Sequence, residues 1–254
     1  LFNKPWSLIR FYFQCISAYF RPGATWSVRT PLNLGLRILY WFCNWCYFCF
    51  LNTAEVLAFA GHGSLRVQDR ALYRRYRFPN QFWIALTEGL KVERPETLYR
   101  LTYGETSWFG IRSALKAVKA TADDIFYDLG CGTGRNVFFA RIEYGMQAVG
   151  IDLLPTFVNH ANGVVQELNL DRIVFHEQDA FQTDLRTATI VYVTANCFDQ
   201  ECLDKLYQTL AALPVGARVI STARPLAAPV LRVTGSQRQF FSWGLDEVFY
   251  HERI

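Results

Sequence analysis

Short apolar runs alternate with helical stretches over the C-terminal part of the chain. Ile125-Phe126-Tyr127-Asp128-Leu129, Ala148-Val149-Gly150-Ile151-Asp152, Ile173-Val174-Phe175-His176, Thr189-Ile190-Val191-Tyr192-Val193 and Ala217 to Thr222 have strand length and are rich in β-branched and aromatic residues. Helical patterning precedes the first of them over Ile111 to Ala120 and separates others from Val137 onward and over 200–212. Strands alternating with helices predict an α/β domain with a largely parallel sheet and helices on both faces. Arg238 to Trp243 and Glu247 to His251, around Gly244, predict a closing antiparallel hairpin and complete seven strands.

The N-terminal part is patterned differently. Trp6 to Phe20 is apolar and aromatic with Arg10 and Gln14 interspersed, which fits a short interfacial helix ended by Arg21-Pro22-Gly23. From Ile38 to Ala54 there is no charged residue. That stretch is just short of the roughly 20 residues of a spanning helix. Its aromatics, Tyr40, Trp41, Phe42, Trp45, Tyr47, Phe48 and Phe50, go all round a helix, which suits a membrane element or a deeply buried one. Both flanks are basic, with Lys4, Arg10, Arg21, Arg29 and Arg37 before it and Arg66, Arg70, Arg74, Arg75 and Arg77 after it. A hairpin or a monotopic helix therefore suits the charges better than a single span. Residues 64–101 are polar and basic, helical around Val67 to Tyr76 and again near Phe82 to Leu90, and punctuated by Pro79 and Pro95. The expected organisation is 1–60 as hydrophobic, membrane-associated helices, 61–101 as a basic helical connector, and 102–254 as the α/β domain.

Composition sharpens this. Hydrophobic residues make up 51% of the 254-residue chain and aromatics 16%, with the excess in the first sixty residues. A net charge of +4 is a weak footprint for nucleic-acid binding, so nucleic acid is not an expected partner. Seven cysteines, an odd number without disulfide-like spacing, point to a reducing compartment. The expected location is a membrane surface, with the catalytic domain in the cytoplasm. Cys43, Cys46 and Cys49 have helical spacing but no fourth ligand nearby, so they read as buried small apolar residues and no metal is expected.

Candidate chemistry gathers at the strand ends. The first strand ends at Asp128, followed by Gly130-Cys131-Gly132-Thr133-Gly134. A dinucleotide fingerprint requires a third glycine at 135, where Arg135 stands. An acid two residues before Gly-x-Gly-x-Gly instead resembles the S-adenosylmethionine loop of class I methyltransferases. An acid there can hold the methionyl ammonium, and the glycines let a ligand lie against the backbone. Asp152 ends the second strand and can accept both ribose hydroxyls. Asp179, after the third strand, would meet the adenine amino group.

These residues and others in order resemble the disruptor-of-telomeric-silencing family, the non-SET histone-lysine methyltransferases, and its small bacterial relatives. The matching positions are Tyr103-Gly104-Glu105-Thr106, Asp128-Leu129-Gly130-x-Gly132-x-Gly134, Asp152, Phe198-Asp199, Gly216 to Ser221, and Ser242-Trp243-Gly244 with Val248-x-Tyr250. They cover residues 102–254. The resemblance implies the seven-stranded, Rossmann-like class I methyltransferase sheet and S-adenosyl-L-methionine as cofactor. Tyr103, Gly104, Glu105 and Thr106 would lid the methionyl end held by Asp128 and the glycines. Asp152 would hold the ribose, and Asp179 and Ala180 would bracket the adenine. The loop after the fourth strand, with Thr194 on the cofactor side and Asn196 beside it, would face the methyl group. Phe198 and Trp243 would line the channel for the nucleophile. Eukaryotic members carry Asn-Asn-Phe where this chain has Thr194, Ala195 and Asn196, and their basic DNA-gripping tail has no counterpart here. Histone therefore does not follow as the acceptor.

Transfer from a sulfonium is an in-line displacement, so alignment and exclusion of water do most of the work. An amine acceptor must first be neutral, which an aromatic channel favours. Glu105 is the candidate base, with holding the lid or the cofactor ammonium as its other role. Three functions remain open. One is a membrane-associated methyltransferase, on a protein lysine by the family resemblance. The second is a methyltransferase for a small molecule or lipid, and the third is a non-catalytic membrane scaffold that keeps the cofactor fold.

Overall fold

The computed structural model describes residues 31–92 and 98–254, so the helix expected over 6–20 lies outside the described residues. Contacts divide the chain into two units, Leu1–Thr53 and Ala54–Ile254. Helix α1 (Pro31–Ala58) begins in the first. There Phe42, Trp45 and Phe50 are exposed. Cys43, Cys46 and Cys49 are exposed too, contrary to the burial expected of them, because the face they share is uncovered among the described residues. No helix among the described residues is long and apolar enough to cross a membrane. Asn44 and Asn52 interrupt the apolar run of α1, and much of its bulk is aromatic rather than aliphatic.

The second unit is built on a seven-stranded sheet. Strands β1 (Ile125–Leu129), β2 (Gln147–Asp152), β3 (Ile173–Glu177), β4 (Ile190–Thr194) and β5 (Arg218–Thr222) run parallel. β6 (Leu231–Phe241) and β7 (Gly244–Arg253) form the hairpin around Gly244, and β7 lies antiparallel to β5. The order is β3-β2-β1-β4-β5-β7-β6. Strand order reverses between β1 and β4, and in such sheets ligands bind beyond the carboxyl ends at this switch point.

The central strands are buried on both faces, which is why they read as continuous apolar runs. One face is closed by Phe126, Tyr192, Phe138, Phe139 and Phe157. The other is closed by Leu129, Val191, Val193, Leu203, Leu206 and Leu210. α4 (Trp108–Ala117), α5 (Arg135–Tyr144), α6 (Pro155–Glu167) and α7 (Gln200–Leu210) cover these faces. α7 shows how locally the sequence dictates this. Asp199 caps it by accepting from Cys202 N at 3.1 Å, and Leu203, Leu206 and Leu210 recur at helical spacing on the buried side.

Helices also form where the periodicity before residue 102 places them, as α2 (Gly63–Arg74) and α3 (Gln81–Val92). α2 buries Leu65, Ala71 and Leu72, and these join the same core as Phe126. Asp124, at the start of β1, pins three strands. Its carboxyl accepts from Thr189 Oγ1 at 2.7 Å and from Thr121 N at 2.8 Å, and pairs with Arg218. Burial works against its charge, but these partners hold its pKa below the usual carboxylate range.

Candidate cofactor site at the strand ends

β1 delivers Asp128 to the switch point and the chain then turns sharply. Gly130, Gly132 and Gly134 adopt φ of 80°, 52° and 82°, a region that costs any residue with a Cβ. Gly134 caps α5. The loop is fixed to β2 by Gly130 N and Cys131 N, which donate to Ile151 O at 2.8 and 2.9 Å. Space is a second reason for Gly134 and the reason for Gly150 in β2. The Phe175 ring packs where a Cβ on Gly134 or Gly150 would stand, 2.4 Å away in each case.

Asp128 is 3% exposed and accepts from Asn136 Nδ2 at 3.3 Å. Burial, and beyond the Asn136 bond the charge of Asp152, push its pKa up to about 7. Asp152 accepts from Gly132 N at 2.7 Å and Leu154 N at 2.9 Å. Burial raises it to about 6, despite those backbone donors. Two carboxyls at the strand ends, Asp128 buried and Asp152 half-buried, each have their charge disfavoured, which suits a cationic ligand that would replace the lost solvent.

The lid closes on them from the hairpin side. Glu105 N donates to Ser242 Oγ at 2.8 Å, and Ser242 N donates to Glu105 O at 3.0 Å. Thr106 bridges Phe241 and shares a 2.8 Å hydrogen bond with the Tyr192 hydroxyl. Gly104 lies under Trp243, whose ring stands 2.6 Å from where a Cβ would be. Trp243 itself stacks on Phe241 at 4.4 Å and donates to Asp246 at 3.0 Å. Tyr103 stacks on Phe157 at 5.4 Å, reaches Thr133 at 3.3 Å and hydrogen-bonds Glu105.

Tyr103, Glu105, Asp128, Gly132 and Asp152 are thus brought together. Asp179 stands just past β3, where it caps a short 3-10 turn (Ala180–Gln182), accepting from Phe181 N at 2.9 Å and Gln182 Nε2 at 3.2 Å. Gln178 N donates to Asp152 O at 2.9 Å, which ties this turn to the end of β2. Ala180 packs on the second core. Thr194 ends β4 opposite Thr222, and Asn196 follows, half-buried. Phe198 packs on Phe181 at 5.5 Å, whereas Trp243 belongs to the lid, so the two expected channel aromatics have different neighbours.

Sequence reasoning missed the residues that back this site. Tyr73, in α2, donates to both carboxylate oxygens of Glu105 at 2.7 Å. Arg135 pairs with Glu55 at 2.6 Å and Asp69 at 3.1 Å, and its guanidinium lies 4.6 Å from the centre of the Trp108 ring. A charged residue at the third glycine position was the available signal.

The group these residues would hold is S-adenosylmethionine. The buried Asp128 and half-buried Asp152 carboxyls, the backbone held open at Gly132 and the adjacent Glu105 match its cationic methionyl end and its ribose. Comparison with known proteins agrees. Residues 87–242 match the family model described as histone methylation protein DOT1. The chain is 25% identical over 133 residues to a histone-lysine N-methyltransferase, H3 lysine-79 specific, of Chaetomium globosum, covering 47% of this chain and 26% of that protein. It is 30% identical over 83 residues to a protein-lysine N-methyltransferase of Saccharolobus islandicus, covering 32% of this chain and 52% of that protein. The chain therefore spans about half or less of these curated relatives' length. Among solved structures, TrmN from Thermus thermophilus shares the fold at 19% identity and a TM-score of 0.51, over 62% of this chain and 52% of that one. With its matched region covering more than half of the sequence and containing the lid, the glycine loop and the strand-end acids, the chain belongs to the DOT1 family and has the class I methyltransferase fold.

Proposed function

We propose that the chain transfers a methyl group from S-adenosylmethionine to the side-chain amine of a protein lysine. The observation that carries this is the family match, together with two relatives whose names both specify protein-lysine methylation. Bound at the switch point, the cofactor supplies a methyl group on a sulfonium. Asp128, with Glu105, would hold the methionyl ammonium, and Asp152 the ribose hydroxyls. Asp179 and Ala180 are assigned to the adenine end, Thr194 to the cofactor side of the methyl group and Asn196 to the acceptor side.

The chain's remaining task is to present a neutral amine. A free lysine has a pKa of about 10.4, and desolvation lowers it. Trp243, backed by the buried Phe241, and Tyr103 supply apolar surface beside the lid. Glu105 accepts from two phenols, Tyr73 and Tyr103. These bonds favour the role of holding the lid and the ammonium over that of general base.

A second reading is a lipid or small-molecule acceptor at a membrane surface. The exposed Phe42, Trp45 and Phe50 of α1 favour it, and they suit an interfacial attachment through the N-terminal helices, with the catalytic unit on the reducing, cytoplasmic side. Methyl-labelled S-adenosylmethionine, purified chain and a cell lysate separate the readings, with an Asp128→Ala control. Label in protein, located on lysine, is the expected result. Label in lipid or small molecules would move the assignment to the second reading. Cofactor binding without label in any fraction would leave a non-catalytic protein.

A further inference from the structure

We infer that Tyr76, in the turn just past α2 and outside the family-matched region, is a cofactor-binding residue whose hydroxyl donates to an acceptor oxygen of the bound nucleoside cofactor. This rests on the cofactor reading of the site given above.

The first observation is an orphaned group. Tyr76 is 4% exposed, and its hydroxyl oxygen is fully buried with no hydrogen-bond partner among the described residues. A buried hydroxyl without a partner carries an uncompensated desolvation penalty, so folded proteins rarely keep one without use. The second observation is where it lies. Burial raises its pKa most and Arg75 opposes that, while the groups that add to burial are Cys131, Asp152 and Glu105. They come from the glycine loop, the end of β2 and the lid, three walls of the candidate site. Burial, reinforced by those groups, keeps the phenol protonated far above its ordinary range, so it is available as a donor.

The ring is held in place. It packs edge-on against His160 at 4.9 Å and lies 6.0 Å from Phe157, which also stacks Tyr103 of the lid. One turn earlier, Tyr73 donates to both oxygens of Glu105. The end of α2 and the turn after it therefore present two phenols in this region, one engaged with the lid acid and one unpartnered near the acid that would hold the ribose. The ribose and carboxylate oxygens of S-adenosylmethionine are acceptors of the kind the second phenol lacks.

The test is calorimetric titration of the full chain with S-adenosylhomocysteine, for wild type and Tyr76→Phe, with thermal unfolding of each ligand-free protein. Losing one hydrogen bond to the ligand is expected to weaken binding by about 3- to 10-fold. The ligand-free melting temperature should stay the same or rise, because the variant removes an unsatisfied hydroxyl and keeps the ring. Unchanged affinity in Tyr76→Phe, with wild type binding normally, overturns this inference alone. A fall in ligand-free melting temperature that accounts for the affinity loss also overturns it, since the hydroxyl would then be serving the fold. A wild-type chain that does not bind S-adenosylhomocysteine overturns the cofactor reading and this inference with it.

Discussion

The backbone N–H of Gly132 donates to Oδ2 of Asp152 at 2.7 Å, joining the glycine loop after β1 to the acid that ends β2. The bond orients the carboxylate at the switch point and sets the loop against it. Both partners are positions that the sequence assigns to one ligand.

The strand-end acids make the ligand-free protein pH-sensitive. Asp128 and Asp152 have folded pKa values of about 7 and about 6, whereas an unfolded aspartate titrates near 3.9. The folded chain therefore retains protons that the unfolded chain has released. The stability these groups contribute is full below about pH 4 and is lost as pH rises through about 7. Asp128→Asn should flatten this part of the slope, as read from urea midpoints at about pH 5 and about pH 8. A cationic ligand favours the ionised acids, so its affinity should rise over the same window and level off above about pH 7.

Gly104 is the narrowest point of the lid. A Cβ there would lie 2.6 Å from the Trp243 ring. Gly104→Ala should destabilise the chain by about 1–3 kcal/mol through overpacking and weaken S-adenosylhomocysteine binding as the lid shifts. Combining it with Trp243→Leu should cost less than the sum of the single changes. Additive losses in urea denaturation would show that the two residues do not meet.

Arg135 carries a buried charge balance. It faces Glu55 and Asp69, and although burial opposes its charge, Tyr73 and these acids hold it ionised. Arg135→Gln would take the cation away from the buried Glu55 and the half-buried Asp69, leaving Glu55, among the described residues, only its bond from Trp108 N, and should cost about 3–5 kcal/mol in equilibrium denaturation. Arg135→Lys keeps the charge without the planar fork that reaches both acids, so its loss should be smaller.

Much of this sheet is legible in the sequence because its central strands are buried on both faces. The runs 125–129, 148–152 and 189–193 need no partner information to be recognised, and the acids of the first two, Asp128 and Asp152, fall at the carboxyl edge by construction. β6 was read only from Arg238 because its first residues, Arg232 to Ser236, lie exposed on an edge strand and show no apolar alternation. The backing of the site was not legible either. Tyr73 meets Glu105 across 32 residues, and Arg135 meets Glu55 across 80. No local pattern encodes pairs that only the packing of α2 and α5 creates. The exposure of Cys43, Cys46 and Cys49 also escaped pattern reading, since a helix apolar all round does not reveal which face is left uncovered.

The most direct test of the account is calorimetric binding of S-adenosylmethionine to the wild-type chain and to Asp152→Ala. Losing charge-assisted hydrogen bonds to the ribose should weaken binding by about 10- to 100-fold, with the sheet intact by circular dichroism. Equal affinity in the two proteins would contradict the assignment of this strand-end acid, and with it the cofactor site at the switch point.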